Sequence, residues 1–152
     1  MDHDIRRIGP GDVAGMRAIN ALFAVAFEDQ ASYADAPPPD AHLEDLLDNP
    51  GFIAIAAFDG DRMSGALVAY ELVKFEQARR EIYIYDLAVA EPARRRGVAT
   101  ALIGYVQSIA REIGAYVVFV QADYDDPPAI ALYESLGIRE EVLHFDIPPT
   151  AT

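Results

Sequence analysis

The 152-residue chain contains no cysteine. That excludes disulfide staples, a thiolate nucleophile and zinc–thiolate sites. Positive charge is scarce: 12 lysines and arginines face 25 aspartates and glutamates, for a formal net charge of −13. Nucleic acid and anionic lipid both need a cationic footprint, so neither is an expected partner. An acidic surface serves solubility, and it also attracts cations. Long apolar runs are missing as well. FIAIAAF, at 52–58, falls well short of the ~20 residues of a membrane span. MDHDIRRIGP lacks the apolar stretch of a signal peptide, so a cytoplasmic location is expected. At 52% hydrophobic residues the chain is too apolar to be disordered. A single domain over residues 1–152 is expected, with a frayed tail at 148–152.

Within these bounds the pattern of elements is readable. Residues 4–8 suit a short strand. Asp12 precedes a helical stripe of Val13, Met16, Ile19, Leu22, Phe23 and Phe27. The prolines of ADAPPPD end it, and Asp40 is expected to cap a second helix, AHLEDLLD. FIAIAAF and MSGALVAYELV read as strands joined by an Asp-Gly turn. EIYIYDLAV is apolar on both faces and therefore central. A long helix carries Val98, Leu102, Val106, Ile109 and Ile113 on one face and ends at Gly114. Then come the strand AYVVFVQA, the helix AIALYESL closed by Gly137, and a last strand REEVLHFDI. In the middle of the order β-α-α-β-β-β-α-β-α-β, a strand–helix–strand crossover occurs once. It predicts an α+β (mixed α/β) fold: a mostly antiparallel sheet with one parallel pair, flanked by about four helices.

One segment breaks a local rule. EPARRRGVAT places Arg94, Arg95 and Arg96 just before a helix N-terminus, which is already partly positive. A bound anion resolves the conflict, because free N–H groups and the dipole both favour negative charge there. Gly97 lets the backbone approach the anion, Ala99 keeps the next gap small, and Thr100 adds a hydroxyl. The segment therefore reads either as a pyrophosphate cradle or as a solvated basic patch. G-x-x-x-x-G-K-[ST] and G-x-G-x-x-G are both absent, which argues against a P-loop NTPase and a dinucleotide fold.

Arg94-x-x-Gly97-x-Ala99 after LAV resembles the coenzyme A pyrophosphate segment of the GNAT acetyltransferase superfamily. The element order fits that fold. LVKFEQARREIYIYDLAV, GVATALI, GAYVVFVQADYDDPPAIALY and LGIREEVLHFDI are similar to the type I aminoglycoside 3-N-acetyltransferases, a likeness spanning roughly residues 5–147. Two positions depart from it. Residues 125–127 read Asp-Asp-Pro where Gly-Asp-Asp is expected, and Arg96 stands where glutamine is expected.

The resemblance implies acetyl transfer from acetyl-CoA to the 3-amino group of a 2-deoxystreptamine antibiotic of the gentamicin kind. It implies a homodimer and no metal. With neither cysteine nor a G-x-S-x-G elbow, direct attack by the amine is the simpler path. The implied cofactor contacts are Leu87, Ala88, Val89, Arg94, Arg95, Arg96, Gly97, Val98, Ala99, Thr100, Asp123, Ala129 and Tyr133. The Leu87 N–H would receive the developing oxyanion, and Val89 would hold the pantetheine arm. Tyr133 would protonate the leaving thiolate, a transfer uphill by about 2 kcal/mol from reference values. Asp86, with Glu81 behind it, would orient the amine or act on it through water. Glu28, Asp29, Asp35, Tyr85, Asp86, Asp125, Asp126 and Asp146 are the implied acceptor contacts, since a polycation suits carboxylates across a cleft. His3, His42 and His144 share no ligand spacing. The alternative enzyme acetylates another amine, a polyamine or a peptide N-terminus. A non-catalytic acetyl-CoA sensor is the third reading.

Overall fold

The computed structural model describes residues 3–150, which form two compact units, one ending at Gln121 and the other beginning at Ala122. The first holds a five-stranded sheet in sequential order: β1 (Asp4–Arg7), β2 (Phe52–Asp59), β3 (Arg62–Val73), β4 (Arg80–Val89) and β5 (Ala115–Val120). All neighbours are antiparallel except β4 and β5, which run parallel, as the single crossover requires.

Helices cover both faces of this sheet, which is why β2 and β3 are apolar on both sides. On one face lie α1 (Val13–Ala26), α2 (Gln30–Tyr33) and α3 (Asp40–Asp48). Met16, Ile19 and Phe23 of α1 and Leu43 and Leu47 of α3 pack with Phe52, Ala54, Ala66, Val68 and Ala88 of the sheet. On the other face lies α4 (Val98–Ile113), burying Val98, Leu102, Val106 and Ile109. Gly65 sets its distance: a Cβ there would fall 2.9 Å from Val98 Cγ1 and 3.3 Å from Leu102 Cδ1. The start of α4 is thereby held directly on β3.

Local chemistry explains the helix ends. Asp12 caps α1 by accepting the Gly15 N–H at 2.8 Å. Asp40 is not the cap of α3: Pro39 takes that place, and Asp40 opens the first turn, paired with Arg17. Gly114 closes α4 at φ +73°, the left-handed cap expected of it. The four-residue α2 is an addition to the four expected helices.

The second unit contains α5 (Pro127–Leu136). Gly137 follows it in an extended conformation, φ −149°, and not as a left-handed cap. The expected last strand is absent. Residues 138–147 form no ladder, and Leu143, Phe145 and Ile147 stand exposed. Apolar alternation makes a strand only where a neighbouring edge pairs with it. The expected frayed tail lies partly outside the described residues. Among the described residues no helix is long and apolar enough to cross a membrane, and no three His, Asp or Glu side chains converge to hold a metal ion.

Candidate active site

The chemistry of the first unit gathers along the C-terminal half of β4. β5 pairs with β4 only as far as Ile84 opposite Val120, while β4 continues to Val89. Among the described residues of the first unit, residues 85–89 therefore pair on one side alone, with β3. Ala90 donates its N–H to the Ser64 carbonyl at 2.8 Å. Backbone groups alternate along a strand, so Ala88 also turns toward β3, and the N–H groups of Leu87 and Val89 face the open edge. The Val89 carbonyl on that edge accepts from Arg94 Nε at 3.1 Å.

A bulge determines where Asp86 points. Val68 lies opposite Asp86 but Ala69 lies opposite Ile84, so Tyr85 is the extra residue on β4. Ile82 and Ile84 are fully buried toward α4. Strict alternation would send Asp86 to that same face. The inserted residue reverses the parity, so Asp86 joins Tyr83 and Tyr85 on the face of α1–α3.

There Asp86 is half-buried and accepts a hydrogen bond from the Tyr33 hydroxyl at 2.9 Å. Burial pushes its pKa up, and the Tyr33 bond opposes the rise. None of the described ion pairs includes it. Aromatic rings lie near it. Tyr70 and Tyr85 meet edge to face at 5.9 Å, Tyr83 and Tyr85 lie 5.7 Å apart, and Tyr83 stacks on Phe119 at 4.7 Å. Burial and then the Asp86 charge raise the pKa of Tyr70; burial, Tyr85 and then Asp86 raise that of Tyr83. An ionised carboxylate among tyrosine faces can hold an ammonium by charge and by cation–π attraction together.

The second feature is the start of α4. A 3-10 turn at Glu91–Ala93 follows β4, and Gly97 stands at the N-cap with φ +77° and no side chain capping the helix. The first intrahelical bond here runs from Ala101 N–H to Gly97 O at 3.0 Å. The N–H groups of Val98, Ala99 and Thr100 are thus left for an outside acceptor. Arg94, Arg95 and Arg96 are exposed around them, with Arg95 also in the left-handed region at φ 64°. His3 fixes the loop by donating from Nε2 to the Arg96 carbonyl at 2.8 Å.

The other expected acceptor residues are less concentrated. Asp29 caps α2, accepting the Ser32 N–H at 3.0 Å. Glu28 is exposed and takes φ 52°, while Asp35 is exposed beyond α2. Glu81 pairs with Lys74 at 3.7 Å and with the Tyr116 hydroxyl, whereas Asp86 has no cation partner among the described residues.

In the second unit, Asp123 and Asp125 lie exposed in the turn before α5, and Asp126 caps that helix through the Ala129 N–H at 3.2 Å. Tyr133 is partly buried. Burial first and Asp126 second raise its pKa, which keeps the phenol protonated. Asp146 contacts His144 at 2.9 Å in the exposed segment, not on a strand. Replacing Asp126 with alanine should lower stability to denaturant by about 1 kcal/mol through the lost cap, and Asp126→Asn should restore most of it.

Tyr33, Tyr70 and Tyr83 were not among the expected site residues. The Tyr83–Tyr85 alternation was a usable signal, since Tyr70 pairs with Tyr83 across the hairpin. Nothing in the local sequence marked Tyr33, because its place depends on a contact 53 residues away.

Known proteins are similar to this chain in sequence and fold. An aminoglycoside acetyltransferase from an uncultured soil metagenomic sample is 52% identical, with 99% of this chain and 100% of that chain covered and a TM-score of 0.95. A second soil metagenomic aminoglycoside acetyltransferase, solved in complex with sisomicin, is 29% identical over 97% of each chain, with a TM-score of 0.90. Among curated proteins, N-alpha-acetyltransferase 30 of Schizosaccharomyces pombe is 30% identical over 84 residues, 55% of this chain and 55% of that protein. An N-alpha-acetyltransferase of Saccharolobus solfataricus is 32% identical over 62 residues, covering 40% of this chain and 37% of that protein. The chain thus spans about half or less of the curated relatives it matches. The acetyltransferase (GNAT) family profile matches residues 16–138. A match over that span, on a sheet opened along β4, makes the chain a member of the acetyltransferase (GNAT) family.

Proposed function

We propose that this enzyme moves an acetyl group from acetyl-CoA to the 3-amino group of a 2-deoxystreptamine aminoglycoside, and so confers resistance to it. The observation that carries the acceptor side is Asp86: a half-buried carboxylate, bonded by the Tyr33 hydroxyl beside a cluster of tyrosines, with no cation of the protein paired to it among the described residues. An aminoglycoside offers several ammonium groups to such a place, and the excess of acidic residues draws it in. The likeness to the two soil enzymes supports the same reading.

The GNAT family uses acetyl-CoA. The residues present fit it. The uncapped N–H groups at the start of α4 and the exposed Arg94–Arg96 suit a diphosphate, and Gly97 in the left-handed region leaves that approach free of a side chain. The open edge of β4 suits an extended amide-bearing arm, with Val89 as its main-chain partner.

The transfer forms an N–C bond between amine and acetyl carbonyl carbon and breaks the C–S bond. Overall an ammonium and a thioester become an amide, a thiol and one released proton. Asp86 holds and orients the ammonium and takes its proton through water. The outward Leu87 N–H donates to the carbonyl oxygen as charge grows there. Tyr133 supplies the proton for the departing sulfur. Its raised pKa makes that step more uphill than reference values imply, so the site must offset the difference. Tyr133→Phe should lower kcat by about 10²-fold and leave the acetyl-CoA KM in place. A full kcat would mean that the thiolate departs unaided.

The partial likeness to N-alpha-acetyltransferases favours a peptide N-terminus as the second reading. Thiol release with gentamicin, spermidine and a short peptide separates the readings, and NMR of the product locates the new amide. Turnover of gentamicin with the amide at the 3-position is the expected result. Turnover of the peptide alone selects the second reading.

A further inference from the structure

We propose that Tyr33 is a positioning residue for Asp86, holding one carboxylate oxygen so that the other faces the acceptor ammonium. This rests on the acceptor reading given above.

Tyr33 is well placed for the task. It ends α2, where its own N–H reaches the Asp29 carbonyl at 3.3 Å. Its ring meets Phe23 edge to face at 5.7 Å and Phe27 at 5.6 Å, so packing fixes the ring before the hydroxyl makes any bond. That hydroxyl donates to Asp86 Oδ2 at 2.9 Å across 53 residues of sequence. An aspartate carboxyl rotates freely about its last bond unless something holds it. One bond to Oδ2 removes that freedom and leaves the lone pairs of Oδ1 unused. The groups facing Asp86 are Tyr33 from α2 with Asp29 behind it, Tyr70 from β3, and Tyr83 and Tyr85 from β4. None is a cation. Burial first and the Asp86 bond second raise the Tyr33 pKa, so the hydroxyl stays a donor across the working range.

The test compares Tyr33→Phe, Asp86→Asn and the double variant in the full chain. Phenylalanine keeps the contacts with Phe23 and Phe27 and deletes only the hydroxyl. The gentamicin KM of Tyr33→Phe should rise about tenfold, the scale of one hydrogen bond to a charged group. The acetyl-CoA KM and Tm should hold. In ligand-free protein, carbon-13 NMR should show the Asp86 carboxyl titrating at higher pH, because a bond that favours its ionised form is gone. Adding Tyr33→Phe to Asp86→Asn should cost little more. An unmoved Asp86 titration, fully additive effects in the cycle, or a fall in Tm with both KM values shifted would each overturn the proposal. If the wild type fails to acetylate gentamicin, the aminoglycoside reading fails by itself. The ligand-free titration, and the same cycle run with spermidine or the peptide, then decide the role of Tyr33.

Discussion

Gly97→Glu should weaken coenzyme A binding by at least about 100-fold, or ~2.7 kcal/mol, in a calorimetric titration. Two effects act together. Gly97 sits at φ +77°, where a residue with a Cβ is strained by roughly 1–2 kcal/mol. The larger effect is electrostatic. A glutamate at the N-cap sends its own carboxylate toward the free N–H groups of residues 98–100, where helix dipole and donors welcome it. It then occupies the place proposed for the diphosphate and repels what remains. Gly97→Ala separates the two effects, since it adds the strain without the charge. That variant should lose no more than about tenfold in affinity, a cost of ~1.4 kcal/mol. Equal losses in both variants would assign the effect to backbone strain alone.

The second large effect is expected at Asp86. Asparagine keeps the volume and can still accept from Tyr33, but it carries no charge. We expect kcat/KM for gentamicin to fall by about 10²–10³-fold, within the range for loss of a general base. Coenzyme A affinity should be unchanged, because the proposed donor site is on α4 and the open edge of β4. The pH dependence has a definite sign. Lowering the pH protonates Asp86 while the antibiotic stays cationic, so attraction is lost as pH falls. Burial places that loss above the ordinary aspartate value of 3.8. Gentamicin binding by wild type should therefore weaken on acidification through that window, and the Asn variant should lack this dependence. Stability runs the other way. A folded pKa raised above the unfolded one means the folded state binds the proton more tightly, so wild-type stability falls as pH rises through the same window. Asp86→Asn should accordingly melt higher than wild type at neutral pH. A variant both more stable and nearly inactive is the mark of a group kept for function.

Much of this architecture was legible from local pattern. The stripes of α1 and α4 and the hairpin of β2 and β3 follow from periodicity, and Gly97 and Gly114 mark both ends of α4. The arginines before Gly97 drew attention to the start of α4 because they contradict the helix dipole, and no side chain caps that helix. What stayed hidden depends on pairing. The bulge at Tyr85 exists only relative to β3, yet it alone turns Asp86 away from the α4 face. Tyr33 lies in a helix of four residues, too short for any periodicity. Residues 138–147 show the reverse: their alternation is that of a strand, but none forms there.

A crystal structure with coenzyme A and gentamicin bound together tests the central division of the site most directly. The account predicts diphosphate oxygens within hydrogen-bond distance of the N–H groups of residues 98–100, and an antibiotic ammonium on Asp86. Phosphates bound away from Gly97, or a gentamicin with no amine near Asp86, would contradict it.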